Sequence, residues 1–238
     1  MVLTADQHEI RLAGQMKALV EVSKTLTLPL ELPELLDNVL HTIAAVIPPA
    51  EADAVMLWDQ SSGLFRPVAA VGFEFHVFKQ IGLRAGEAVT GKVFDTGKMC
   101  LLSRPDEISQ AMADMRPANR VVYARSLNSD RLPVSTVAAP LSAGDQRYGV
   151  LVLNSLQNAP VFQEDDLPIV QTIADLIGLA IDRARLEAKA DAIQEARETE
   201  RLRAELMASL SHELRMPLTA VKGYISALLM DDVTWDEQ

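Results

Sequence analysis

The sequence predicts an α+β fold, a largely antiparallel sheet flanked by helices and followed by one long helix. Three observations predict it. Apolar residues recur at helical spacing before residue 50 and again after residue 163. Short β-type runs come in pairs around turn residues between those two stretches. Strands and helices do not alternate along the chain, as a parallel sheet would require.

Residues 7–27 read as a helix, with Ile10, Ala13, Met16, Leu19, Val20 and Ser23 at helical spacing and Pro29 and Pro33 beyond its end. A sharper stripe follows at Leu32, Leu35, Leu36, Val39, Leu40, Ile43 and Ile47, closed by Pro48 and Pro49. ADAVMLWD (52–59) and LFRPVAAV (64–71) flank Ser61-Ser62-Gly63 as a hairpin. STVAAPLSA (135–143) and QRYGVLVLNSL (146–156) flank Gly144-Asp145 as a second. The stretch between the hairpins reads as loops and short helices, with MCLLS (99–103) as a strand. From Gln163 to about Met230 the pattern is helical. A continuous helix there would be on the order of 100 Å long and would need a partner helix to cover its apolar side.

With 238 residues, 49% of them hydrophobic, the chain can bury a core as one domain with an extension or as two small domains. A net charge of −11 leaves no basic face for nucleic acid. Cys100 is the sole cysteine, which rules out an internal disulfide and suits a reducing compartment. No signal peptide and no membrane-spanning run is visible, so a cytoplasmic location is expected.

GLRAGEAVTGKVFDTGKMCLLS (82–103), VAAPLSAGDQRYGVLVL (137–153) and FQEDDLPIVQTIADLIGLAIDRARL (162–186) make the span from about 20 to 185 resemble a GAF domain. ELMASLSHELRMPLTAVKGYISALLMDD (205–232), with its core S-H-E-L-R-x-P-L-T-A, is similar to the HisKA dimerisation and phosphoacceptor segment of sensor histidine kinases. The expected layout is an N-terminal helix (1–27), a GAF sensor (28–182), a coiled-coil signalling helix (183–204) and a truncated HisKA segment (205–238). Asp231-Asp232-Val233 ends one helix and Thr234-Trp235-Asp236-Glu237 reads as a capping box for another. A piece of a longer kinase, inactive without its ATP-binding domain, is therefore expected.

Heptads place Leu186, Ile193, Glu200, Met207, Leu214, Val221 and Leu228 at a, and Lys189, Ala196, Arg203, Leu210, Pro217 and Tyr224 at d. The seam is broken near Glu200 and Arg203, where two registers of similar energy are expected. His212 falls at f, facing away from a partner helix. The resemblance implies that one ring nitrogen of His212 attacks the γ-phosphate of ATP, which a separate domain holds with Mg²⁺. Glu213 would be base or orienter, and Pro217 would bend the helix as a hinge. The implied partners are a second copy of the chain and the receiver domain of a response regulator. Met216 stands four residues after the histidine, where such kinases usually carry Thr or Asn to orient a hydrolytic water, so weak phosphatase activity is expected.

Other signals are weaker. GEAVTGKV (86–93) is one residue short of a P-loop, with Val93 where Ser or Thr would hold Mg²⁺, and is not read as a nucleotide site. Cys100 reads as a buried structural thiol. Phe73, Phe75 and Phe78 crowd around His76, and Met56 and Trp58 share a strand face; these six either line a ligand pocket or pack the core. Haem at His76 is the less favoured reading, His8 and His41 read as bystanders, and no metal site is expected. The resemblance leaves the GAF ligand open among a cyclic nucleotide, a tetrapyrrole, another small metabolite and none. The competing reading is a non-enzymatic GAF ligand-binding or dimerisation module with a structural coiled coil. A phosphotransfer intermediate without its own kinase is a third.

Overall fold

Winding Leu35, Leu36, Val39, Leu40 and Ile43 into a helix puts all five on one side, and all five are buried in α2 (Leu32–Val46). Pro33 occupies the first turn, where its missing N–H leaves no bond unmade. Ile47 donates its N–H to Ile43 O at 2.8 Å before Pro48 and Pro49 stop the helix. α1 (Ala5–Thr25) buries Ala18 and Val22 in the same core. The computed structural model describes residues 5–127, 133–156 and 161–228, without the side chains of residues 5–13, 15, 208 and 211–213. These residues fall into two units that divide between Ala184 and Arg185.

Five antiparallel strands form the sheet: β1 (Asp53–Asp59), β2 (Leu64–Val71), β3 (Cys100–Leu102), β4 (Ser135–Ala143) and β5 (Gln146–Ser155). Their order is β2-β1-β5-β4-β3. Both hairpins fall where turn chemistry places them. Asp59 accepts the Ser61 N–H and hydroxyl and the Ser62 hydroxyl at 2.9, 2.7 and 2.6 Å, while Gly63 supplies a φ of +64°. Those bonds hold the Asp59 carboxyl down at about 2.

Strand alternation divides the core. Val55, Val137, Ala139, Leu151 and Leu153 pack with α2 and with Val170, Ile173 and Ile177 at the start of α7 (Leu167–Leu228). The approach is close at Gly178, where a Cβ would come within 2.3 Å of Ser142 O. Ala54, Met56, Ala138 and Val150 face the opposite way, toward residues 73–127. That middle stretch winds into α3 (Phe75–Phe78), α4 (Ala88–Thr96), α5 (Pro105–Ala111) and α6 (Pro117–Ser126), the last two begun by proline. Cys100 is half-buried rather than buried, because β3 is the short edge strand; burial still raises its pKa.

Asp53 is fully buried at the start of β1. Its Oδ1 accepts the Asn154 N–H at 3.2 Å and its Oδ2 has no partner. Burial, opposed by that one bond and reinforced by the charge of Glu51, lifts its pKa to about 8. An unfolded aspartate ionises near pH 4, so between about pH 4 and 8 the native state holds a proton that the unfolded chain has released. Stability contributed here therefore falls as pH rises through that window. Asp53→Asn copies the neutral form, and it should gain on the order of 1–3 kcal/mol over wild type between pH 5 and pH 8. Urea midpoints at the two pH values check this; an unchanged difference between variant and wild type would refute it.

Candidate functional site

Two places carry chemistry, one in each unit. In the first, the sheet and the helices of the middle segment enclose a cavity of about 50 Å³. Ala54, Met56 and Val152 form its floor on the sheet; Phe73, Phe78, Ile81 and Leu83 form one wall; Val89, Ile108, Met112 and Met115 form the other. Thr90, Tyr123, Thr136 and Asn154 are its polar lining.

Of the six aromatic and strand residues expected near a pocket, Met56, Phe73 and Phe78 line this cavity. Phe73 and Phe78 stack at 4.3 Å between ring centroids, and Phe73 meets Tyr123 at 5.8 Å. Trp58, Phe75 and His76 do not line it. Trp58 packs instead in a cluster with Phe65 and Phe94, at 4.8 and 5.9 Å. Phe75 is exposed, and the exposed His76 lies 3.8 Å from Glu74, because successive residues of the short helix α3 turn away from the buried Phe78. An iron ligand at His76 would have no enclosed site around it. Among the described residues no group of three His, Cys, Asp or Glu side chains stands close enough to hold a metal ion.

Sequence patterning missed the polar framework at the start of α4, next to the cavity-lining Ala88. Glu87, buried beside the first residue of α4, accepts N–H groups from Arg84 at 2.9 Å, from Arg116 at 2.9 Å (backbone) and 3.0 Å (Nε), and from Asn119 at 3.0 Å. Asn119 and Arg116 also both donate to Gly82 O. Burial pulls the Glu87 pKa upward, but the Arg116, Arg84 and Asn119 hydrogen bonds together outweigh it and leave the carboxyl below its ordinary value. Ala88 follows at φ +56°, a strained value for a residue with a Cβ, and its N–H goes to Asp114 Oδ1 at 3.0 Å. Lys92 is tied to Asp114 Oδ2 at 2.8 Å and to Ala111 O at 2.7 Å, so the lysine of GEAVTGKV is engaged within the fold.

The second place lies on residues 185–228 of α7. His212 and Glu213 belong to this helix; their side chains lie outside the described residues. The helix is continuous through Pro217, although the proline removes the bond its N–H would make to the Glu213 carbonyl. Met207, Leu210, Leu214 and Val221 are each more than half exposed in the single chain, as are Leu186 and Leu228. Met216 is 71% exposed and offers no hydrogen-bonding group there. Arg201 pairs with Glu205 at 2.9 Å one turn along, where the apolar seam is interrupted.

Residues 31–181 match the family described as GAF domain, and residues 202–238 match the His Kinase A (phospho-acceptor) domain. Over 104 residues, 43% of this chain, the sequence is 32% identical to the sensor protein KdpD of Escherichia coli, of which the match covers 12%. It is 26% identical over 183 residues to the Nif-specific regulatory protein of Herbaspirillum seropedicae, covering 76% of this chain and 31% of that protein. The chain thus matches well under two thirds of the length of these relatives. Its fold resembles the GAF domain of a phosphoenolpyruvate-protein phosphotransferase from Coxiella burnetii, with a TM-score of 0.59 at 18% identity over 74% of this chain and 98% of that one. No helix among the described residues is long and apolar enough to cross a membrane.

Proposed function

We propose, for a chain that belongs to the GAF domain family and carries a His Kinase A phosphoacceptor segment, that it senses a signal in the GAF domain and relays it to phosphorylation of His212. The chain is a sensor histidine kinase region. The finer reading is ATP-dependent phosphorylation of His212 by a catalytic domain outside this sequence, followed by transfer to a response-regulator aspartate. The observation that carries it is the match over 202–238, with Ser211-His212-Glu213-Leu214-Arg215 on the helix just ahead of Pro217. Neither the cavity nor the engaged Lys92 offers an ATP and Mg²⁺ site, so the nucleotide is assigned to the catalytic domain.

The exposed apolar residues Met207, Leu210, Leu214 and Val221 support pairing of this helix with a second copy. In this reading the signal passes as a change of packing or register near Glu200 and Arg203, with Pro217 as hinge. Cysteine crosslinking at 193, 200 and 207 tests it, and one fixed register in both signalling states would reject it. The functional assay is direct: mix the chain with the catalytic domain of its parent kinase and ATP, then map acid-labile phosphate by mass spectrometry. Label on His212 is the expected outcome.

Met216 bears on the reverse reaction. Phosphatase action needs a polar side chain to orient water, and a thioether orients it poorly. Met216→Thr in the full-length kinase should raise the rate of regulator dephosphorylation about tenfold or more while leaving His212 labelling intact. Robust dephosphorylation by the unaltered kinase would contradict this account.

A further inference from the structure

We infer, resting on the reading that the GAF domain senses a ligand, that Thr90 and Tyr123 select a small uncharged molecule, mostly apolar and bearing one hydroxyl or carbonyl oxygen. Both residues line the cavity, neither hydroxyl bonds to another described residue, and neither is a sealed orphan like Asp53 Oδ2, so both face the open space of the cavity. Thr90 is only 5% exposed. The contrast with other helix threonines is informative. Thr25, Thr42, Thr96, Thr172 and Thr219 each donate to the carbonyl four residues back, at 2.7–3.0 Å. Thr90 makes no such bond: the carbonyl four residues before it belongs to Gly86, at φ +73° and outside α4.

A hydroxyl that faces a cavity pairs with water or with a guest, because leaving it with neither costs the group its hydration. Burial raises the Tyr123 pKa with no hydrogen bond to offset it, consistent with a neutral phenol that donates. The other polar lining groups are already engaged. Thr136 Oγ1 donates to Asn154 Oδ1 at 2.8 Å, and the Asn154 amide nitrogen donates to Ala52 O. Thr90 and Tyr123 are thus the two hydroxyls left to a guest.

Charge and size narrow the guest. No lining side chain is charged at neutral pH, and Glu87, next to the lining residue Ala88, is saturated by its own donors. An ionised carboxylate or phosphate entering here would be desolvated without a counter-charge, which disfavours it. About 50 Å³ is a third of the roughly 150 Å³ that holds a benzene, and a four-carbon alcohol or ketone is close to benzene in volume, so such a guest enters only as the lining yields. Met56, Met112 and Met115 line the space with unbranched, adaptable side chains that can yield to a somewhat larger guest.

The test is ligand-observed NMR on the whole chain with four probes of similar size: n-butanol, butanone, 1-chlorobutane and butyrate. Butanol and butanone should bind, with butyrate at least about tenfold weaker. Thr90→Val and Tyr123→Phe should each weaken butanol roughly three- to tenfold, and leave chlorobutane unchanged as evidence of an intact cavity. Butyrate binding as tightly as butanol, or butanol binding both variants as it binds wild type, overturns the inference. Failure of all four probes to bind overturns the inference about the ligand's class and leaves the reading of a sensing domain untouched. None of these measurements involves ATP or His212, so an error in the phosphoacceptor assignment cannot imitate either result.

Discussion

His212→Gln should abolish acid-labile phosphate when the chain is incubated with ATP and the catalytic domain of its parent, while Glu213→Gln should slow labelling about 10²- to 10⁴-fold. The two residues should fail differently because the proposed reaction gives them different chemistry. A neutral imidazole offers an unprotonated nitrogen near pH 7, and no amide has a comparable lone pair. In the proposed step, that nitrogen of His212 would form a bond to the γ-phosphorus as the bond to the bridging oxygen breaks and ADP leaves. The proton on the other ring nitrogen would be held, or accepted, by the Glu213 carboxylate. Glutamine at 213 keeps a hydrogen-bond acceptor and loses the base, so the reaction is slowed rather than ended. Phosphate that resists acid, or that persists in His212→Gln, would place the acceptor elsewhere and return the chain to a ligand-binding module with a structural helix. Rapid labelling of Glu213→Gln would strip that residue of its role.

How much of this was legible in the sequence depends on the range over which each feature is encoded. The α2 stripe is local, with a period set by the helix, and its five residues are all buried. The hairpins at Gly63 and Gly144 are local as well, since a positive φ and a short polar turn announce themselves in two or three residues. The long helix and the Ser-His-Glu-Leu-Arg segment could be read for the same reason. The cavity could not. Phe73 and Phe78 reach it while Phe75 and His76, inside the same six residues, do not, because a single turn of helix at α3 decides which of them face inward. Trp58 shares strand parity with Met56 yet leaves the cavity for a stack with Phe94, which lies 36 positions further on. Thr90 and Tyr123 carry no local signature, and what marks them is the lack of a partner. Glu87 stood inside GEAVTGKV, a motif read for its glycines and lysine, while its acid found donors at 84, 116 and 119.

Glu87→Ala should destabilise the GAF domain by about 2–4 kcal/mol, the range expected when a buried acceptor is taken from several donors at once. The comparison with Asp53 shows why the number is large. Both carboxyls are buried, at 7% and 0% exposure, yet their pKa values move in opposite directions. Asp53 has one N–H and a neighbouring acid, so burial prevails; Glu87 has four donors, one of them a guanidinium, so the ionised form prevails. The sign of the pH dependence is reversed accordingly. A carboxyl whose native pKa lies below its unfolded value near 4.3 stabilises the fold above that pH, and the contribution is lost as acid protonates the native state. Wild type should therefore lose stability on acidification below about pH 4.5 more steeply than Glu87→Gln, which has no proton to gain there. Arg116 is 37% exposed and recovers some hydration once unpaired, which keeps the cost below that of a fully buried broken pair. Denaturant midpoints across pH 3 to 7 check both statements, and a Glu87→Gln acid limb parallel to wild type would sink the linkage. The same acid ties the start of α4 to Arg84, Arg116 and Asn119, three residues before the cavity-lining Thr90. Loss of Glu87 should accordingly weaken ligand binding in protein that is still folded, at denaturant-free conditions where the stability deficit alone would leave the native state dominant.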